Sequence, residues 1–285
     1  MMSRNIMELC WTQIEELEKE KTVMMIGIAP IEEHGRHLPT GVDVYETKHW
    51  IERSTSKLEH SFSEYTFLTM PMIPFGHGDI RGFVGNIHLS QKLIYQILLE
   101  MLGGIAEWGI KNIVIISGHA DPKHLIAIEQ ACDEINKIYQ DISFAPMGAI
   151  FSQDNINLDF KDDSNQLVKE KLCKYPNDFH GGWIETSNML DICPGLVNDN
   201  YGNLPDISIN EMEMIQPEIV SSKIKGQGHI GYPKESTMEL GQVLNENMAE
   251  RIKICVEAYL TRKDYKKYSH HKLYNIPALK VQGGK

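Results

Sequence analysis

Val23-Met24-Met25-Ile26-Gly27-Ile28 is an unbroken apolar run, and the loop after it reads Ile31-Glu32-Glu33-His34-Gly35-Arg36-His37-Leu38-Pro39-Thr40-Gly41-Val42-Asp43. A run with no polar alternation predicts a strand covered on both faces, as in a parallel sheet. In open α/β sheets, ligand sites form just beyond the carboxyl ends of the strands, so Glu32, His34 and Asp43 are placed at a crevice. Carboxylate oxygen and imidazole nitrogen suit Zn²⁺, Mn²⁺ or Fe²⁺, and a carboxylate can bridge two ions because it has two oxygens. In extended backbone a Glu-x-His pair puts both side chains on the same side of the chain.

The same arrangement recurs further along. Asn112-Ile113-Val114-Ile115-Ile116 predicts a second buried strand, and Ser117-Gly118-His119-Ala120-Asp121 comes directly after it, with Pro122 suited to the first turn of a helix. A third group is Phe179-His180-Gly181-Gly182-Trp183-Ile184-Glu185-Thr186-Ser187. One histidine beside a carboxylate in a loop is expected by chance in a chain with 12 histidines and 39 acidic residues, and reads as a solvated surface feature. Three such loops in matching contexts predict one composite site.

These segments resemble the creatininase family, the creatinine amidohydrolases and their relatives. The first resembles the family's Glu-x-His-Gly-x-His-Leu-Pro…Asp motif, the second its Gly-His-x-Glu/Gly segment, and the third its His-Ala-Gly-x-x-Glu-Thr-Ser segment. Gly85-Asn86-Ile87-His88-Leu89-Ser90 and Gly228-His229-Ile230-Gly231-Tyr232-Pro233 are similar, more weakly, to a Gly-Thr-Ile-Ser-Leu stretch and a late Gly-rich loop. The resemblance spans nearly the whole chain. It implies a three-layer α/β/α fold in a single domain and a dinuclear centre of Zn²⁺ and/or Mn²⁺. Position by position, it puts Glu32 and His119 on one ion, His34 and Asp121 on the other, and Asp43 across both. It also implies hydrolysis by a water activated between the ions. His180 would protonate or orient the reacting group, and Glu185 would be a further ligand or a carboxylate that orients one.

Departures from the pattern bear on substrate. No tryptophan precedes His180 in Tyr175-Pro176-Asn177-Asp178-Phe179, Asp121 stands where creatininase has Glu, and Trp183 stands where other relatives often have Glu. The expectation is therefore an amidohydrolase acting on a cyclic amide or another C–N bond of a small polar substrate, with His77 and Trp183 lining the pocket. The alternatives are ring opening of a cyclic polyol ketone such as a dehydro-inosose, or a deformylase or peptidase of the same family. A metal-stabilised binding protein without catalysis ranks last.

Composition agrees with an enzyme that has a substantial core: 285 residues, 42% of them apolar. A net charge of −11 argues against nucleic-acid or acidic-membrane partners, which need Lys and Arg to neutralise phosphate. Five scattered cysteines without Cys-x-x-Cys spacing read as free thiols in a reducing cytoplasm. No basic segment precedes a long apolar one at the amino terminus, and no apolar stretch approaches the roughly 20 residues that span a bilayer.

Periodicity predicts a helix over 3–20, a strand at 23–28, a helix near 44–58 and a strand near 65–72. Ser90 would cap a helix to about Trp108, and the strand at 112–116 would lead to a helix to about Tyr139 and a strand at 142–147. Residues 151–178 are turn-rich and read equally as a surface excursion or as a lid or oligomer contact. Ser236-Thr237-Met238-Glu239 has a capping-box pattern. From 263 to 285 a basic, tyrosine-bearing tail is set against an acidic body, and reads as a strap on its own or a neighbouring subunit. With the family resemblance, this predicts a homo-oligomer of ring-like or hexameric form. His37 reads as a loop hydrogen-bonder, His88 as a pocket or edge-strand residue, and His270-His271 as solvated.

Overall fold

The structure, a computed structural model, describes residues 4–80, 82–152, 163–214 and 216–282. Its sheet has five strands: β1 (Arg4–Asn5), β2 (Thr22–Gly27), β3 (Thr66–Thr69), β4 (Asn112–Ile116) and β5 (Ser143–Phe144), in the order β1-β3-β2-β4-β5. Every pair is parallel. The helices are α1 (Trp11–Glu15), α2 (Val42–Ser61), α3 (Gln91–Glu107), α4 (Pro122–Tyr139), α5 (Met147–Ser152), α6 (Asp163–Lys174), α7 (Trp183–Ile192), α8 (Glu211–Met214), α9 (Pro217–Ile224) and α10 (Met238–Leu260). None of the described helices is long and apolar enough to cross a membrane.

The period-two rule explains why β2 and β4 are apolar throughout. Met24, Ile26, Ile113 and Ile115 pack on one face with Ile94, Leu98 and Leu102 of α3 and Ala127 and Ala131 of α4. Val23, Met25, Val114 and Ile116 pack on the other with Trp50 and Leu58 of α2 and Ile252 and Val256 of α10. These two apolar layers are the three-layer α/β/α architecture expected from the sequence. Each fully buried aliphatic side chain contributes about 1.5–3 kcal/mol relative to exposure, so any charge on these strands has to lie beyond their ends.

The register does the positioning. Val23 pairs with Asn112 and Gly27 with Ile116, so β2 and β4 end side by side. The bridges Ile28–Ile73, Ile31–Ile87 and Gly76–His88 extend the same edge into the segment after β3, and His180–Ile230 ties the third motif to the Gly-rich loop.

Several expectations need correction. Instead of one helix over 3–20 there is a 3₁₀ turn at Ile6–Glu8 and the short α1, because this segment also supplies edge strand β1. The strand expected at 142–147 shortens to Ser143–Phe144, and α5 begins at Met147. Thr237, not Ser236, caps α10, its hydroxyl accepting from the Leu240 N–H. Of the turn-rich 151–178 segment, 163–174 is α6, while 153–162 lies outside the described residues.

The basic tail is built into this chain. Tyr265 is buried edge-on against Phe144 and Tyr259, the His271 N–H donates to Glu129 at 2.8 Å, and the Val281 N–H to Gln130 at 2.7 Å. His270 and the Tyr274 hydroxyl both meet Asp133. His271 is buried, not solvated.

Candidate metal centre

The loop after β2 is folded back by its own backbone, the Glu32 N–H donating to the Thr40 carbonyl at 2.9 Å. That turn brings Asp43, in the first turn of α2, opposite Glu32 and His34. Thr47 adds a clamp: its hydroxyl donates to the Asp43 carbonyl and accepts from the Gly118 N–H, both at 2.6 Å. Gly118 has to be glycine, since a Cβ there would lie 2.8 Å from the Asp43 carbonyl oxygen. The loops after β2 and β4 are thereby locked together.

Both imidazoles are oriented by backbone carbonyls. His34 Nδ1 donates to the Glu32 carbonyl at 3.0 Å, which leaves Nε2 facing Asp43 Oδ1 at 3.3 Å and Glu185 Oε1 at 3.7 Å. His119 Nε2 donates to the His77 carbonyl at 2.9 Å, which leaves Nδ1 facing Glu32 Oε2 at 3.3 Å and Asp43 Oδ2 at 3.2 Å. Asp43 thus shows one oxygen to each histidine. Two triads result, Glu32–Asp43–His119 and His34–Asp43–Glu185, with Asp43 common to both.

These donors fit divalent cations. Both oxygens of Glu32, both of Asp43 and Nε2 of His34 are buried without a hydrogen-bond partner among the described residues, an arrangement that is costly unless something positive sits between them. Their spacings of 3.2 to 3.7 Å bracket the edge of about 3.3 Å expected for tetrahedral ligands about 2.0–2.1 Å from a zinc-sized ion. Burial opposes charge on every one of these groups. Even so, His119 and His88 hold the Glu32 carboxyl at about 2, and His34 and His119 hold Asp43 well below the usual carboxylate range. Conversely, Glu32 and Asp43 lift His119 to about 10, and Glu185 and Asp43 lift His34 well above its ordinary value. Protons on these histidines occupy the place a cation would take.

Glu185 lies in the first turn of α7, where its Oε2 accepts from the Gly181 N–H at 2.5 Å while Oε1 faces His34. Gly181 has φ +56°, and a Cβ there would sit 2.6 Å from the His34 carbonyl oxygen. His180 Nε2 donates to the Glu33 carbonyl at 2.5 Å, and its ring centroid is 4.2 Å from that of His34. His180 therefore borders the centre, grouped with Glu32 and His34.

Asp121 and Trp183 are placed elsewhere than the sequence suggests. Asp121 caps α4, its Oδ1 accepting from the His124 N–H at 2.9 Å, and its carboxylate groups with His77 and Asp79 instead of His34. Glu185 occupies the position beside His34 expected for it. Trp183 is fully buried against Val168 and Leu240, its indole N–H directed at the Tyr175 carbonyl, so it faces the core and not a substrate. His77 is nearly buried, with Nδ1 on the Leu89 carbonyl at 3.1 Å. His37 meets the Thr186 hydroxyl at 2.7 Å, a loop hydrogen bond as expected.

Two contributors escape a motif-level reading, and a third, His88, read as a pocket or edge-strand residue, meets the centre directly. His88 Nε2 approaches Glu32 Oε1 at 3.1 Å, adding a further imidazole beside that carboxylate. Asp178 accepts from the N–H groups of Trp183 (2.9 Å), Ile184 (2.9 Å) and Tyr232 (3.0 Å), fixing the turn that carries His180 and Glu185. Burial raises the Asp178 carboxyl to about 6 despite those donors. The signal available for it was an acid just ahead of a Gly-Gly helix start. Glu46, one turn after Asp43, is buried and accepts from Asn188 at 2.8 Å; burial, then Glu185, pushes its pKa well above the usual range.

The match to known proteins covers the whole site. Residues 7–255 match the family model described as "Creatinine amidohydrolase". The chain is 22% identical over 263 residues to a creatinine amidohydrolase from Pseudomonas putida, covering 86% of this chain and 94% of that protein. A solved structure named "Creatininase Mn" superposes with a TM-score of 0.70 at 19% identity, covering 90% of this chain and 99% of the other. A creatininase point mutant described as "Zn-Zn type" gives 0.68 at 17%, covering 91% and 99%. A putative creatinine amidohydrolase from Bacteroides fragilis gives 0.65 at 19%, covering 91% and 97%.

Proposed function

The chain belongs to the creatininase family of metal-dependent amidohydrolases, and on that premise we propose that it hydrolyses a C–N bond, most simply a cyclic amide, in a small polar substrate, using two divalent ions. The observation that carries this reading is the buried Asp43 carboxylate, one oxygen toward His34 and the other toward His119. One ion would be held by Glu32, Asp43 and His119 and the other by His34, Asp43 and Glu185. Mn²⁺ and Zn²⁺ are favoured by the relatives' forms, and Fe²⁺ suits the same nitrogen and oxygen donors. Bound divalent cations polarise a carbonyl and lower the pKa of water from about 15.7 toward 7.

The chain's own residues do the rest. Asp43, Glu32, His34, His119 and Glu185 orient the centre. Asp178 and Gly181 set the backbone that presents His180, which would hold or deliver the proton needed by a departing amine. Glu46, buried one turn beyond Asp43, accepts from Asn188 and so ties α2 to α7.

The test pairs metal analysis with a substrate panel. Purified protein should retain two tightly bound Mn²⁺ or Zn²⁺ per chain and hydrolyse one or more cyclic amides or formamides. Metal-loaded protein inert toward every amide but active on a cyclic ketone would move the reaction to ring opening and refute the C–N assignment. Unpaired cysteines throughout the chain favour a reducing compartment such as the cytoplasm. We also keep the homo-oligomer as a proposal: sedimentation at micromolar protein should show more than a dimer, and a strict monomer would refute it.

A further inference from the structure

A second cluster of ligand-type side chains lies beside the centre. His77, Asp79 and Asp121 each offer one ligand atom, all within 4.8 Å of one another. His77 comes from the segment after β3, and Asp121 from the helix start after β4.

The histidine is the informative member. Its Nδ1 faces the Leu89 carbonyl at 3.1 Å, so that nitrogen carries a proton and Nε2 is the ring nitrogen open to a metal. This is the way metal-binding histidines are held, the second ring nitrogen donating to a carbonyl. His77 is only 9% exposed, and Nε2 is buried without a hydrogen-bond partner. It points at Asp79 Oδ1, 3.5 Å away, longer than an ordinary hydrogen bond.

Each carboxylate has one oxygen committed and one spare. Asp79 Oδ2 takes the Lys123 ammonium at 2.6 Å, leaving Oδ1 toward His77. Asp121 Oδ1 takes the His124 N–H at 2.9 Å. With His77 neutral, Asp79, Asp121 and Lys123 sum to one negative charge, which favours a cation. Lys123 and the positive end of α4 make that attraction weaker than at Asp43. Both carboxylates are half-buried, so an ion would be reachable from solvent and keep open positions.

We propose that His77, Asp79 and Asp121 form a third cation site, separate from the Asp43 centre and weaker, taking a divalent transition metal that accepts one imidazole and two carboxylates, such as Mn²⁺ or Zn²⁺. The two sites share a backbone. The carbonyl of His77 accepts from His119 Nε2, so the residue that would hold the third ion also orients a ligand of the Asp43 centre.

Calorimetric titration with Mn²⁺ alone, on metal-stripped protein, tests this without reference to activity. Wild type should take up three ions per chain, the third more weakly than the other two. Asp79→Asn, on a half-exposed loop and safe for folding, should take up two, as should His77→Ala. Asp43→Ala should retain only the weak one. Uptake of two by wild type, or an unchanged count in Asp79→Asn, overturns the proposal. So does loss of every ion in His77→Ala with three kept in Asp79→Asn, since His77 would then act only by orienting His119. Retention of two strong ions by Asp43→Ala would instead break the proposed function and leave the third site standing.

Discussion

The loops after β2 and β4 carry the same kind of residues and do different things with them. After β2, Glu32, His34 and Asp43 all turn into one buried centre. After β4, His119 joins that centre while Asp121, two residues on, turns away to cap α4. The difference lies in what the backbone asks of each carboxylate. Asp43 sits inside the first turn of α2 with its carboxylate free of backbone N–H partners. Asp121 sits one step before α4, where the first N–H groups lack partners and a short acid is the preferred acceptor. The helix start turns Asp121 away from His34, and the carboxylate found beside His34 is that of Glu185.

Asp43→Ala is the largest expected effect. Both strong ions should be lost, seen by elemental analysis after gel filtration, and activity should fall to background; retention of either ion would break the equivalence drawn between the two oxygens. Glu185→Gln should cost only the ion shared with His34 and leave the one shared with His119. If Asp121→Asn strips that ion and Glu185→Gln does not, the exchange of roles between the two carboxylates is wrong. His180→Ala should keep the metal and lower kcat by about 10²–10⁴-fold, the usual contribution of a positioned acid or base. Metal loss would make His180 a ligand.

The pH response comes from the same charges. In metal-free protein the pairing of His119 contributes fully below its ordinary 6.5 and is lost as pH rises through about 10. That of Glu32 contributes fully above 4.5 and is lost as pH falls toward about 2. Thermal melting of metal-free protein should therefore be highest between about 4.5 and 6.5 as far as this site is concerned. Metal affinity should rise with pH through neutrality as the protons on His34 and His119 are displaced. The smallest effect belongs to Asp121→Ala, which should cost about 1 kcal/mol as a lost helix cap and leave both ions at Asp43 in place. Asp121→Asn, itself a good cap, should restore most of that stability in a thermal melt.

The central strands and the ligand loops were legible because they depend on local pattern. Apolar runs at 23–28 and 112–116 have to be buried, and the loop at the carboxyl end of a buried parallel strand has to face the crevice. The bounds of α4, Pro122–Tyr139, are set by Pro122 at its first turn and the apolar spacing after it. Asp121 lies with His77 and Asp79 instead of beside His34, a placement that motif spacing does not convey because it does not say which carboxylate also caps a helix. Trp183 failed because its neighbours in space, Val168 and Leu240, are distant in sequence. Glu46 was missed for the same reason, its partner Asn188 being set by tertiary packing, whereas Asp178 was missed despite the local signal of an acid ahead of a Gly-Gly helix start. The tail was read by charge, whereas Tyr265, His271 and Val281 anchor it by burial and backbone hydrogen bonds.

A crystal of the Mn²⁺-loaded protein, measured at the manganese edge, tests the bridging carboxylate most directly. Two strong anomalous peaks should appear about 3.5–4 Å apart, one on each oxygen of Asp43, with Glu32 and His119 on the first and His34 and Glu185 on the second. A single peak, or two peaks that leave Asp43 without a bond to one of them, would contradict the bridge.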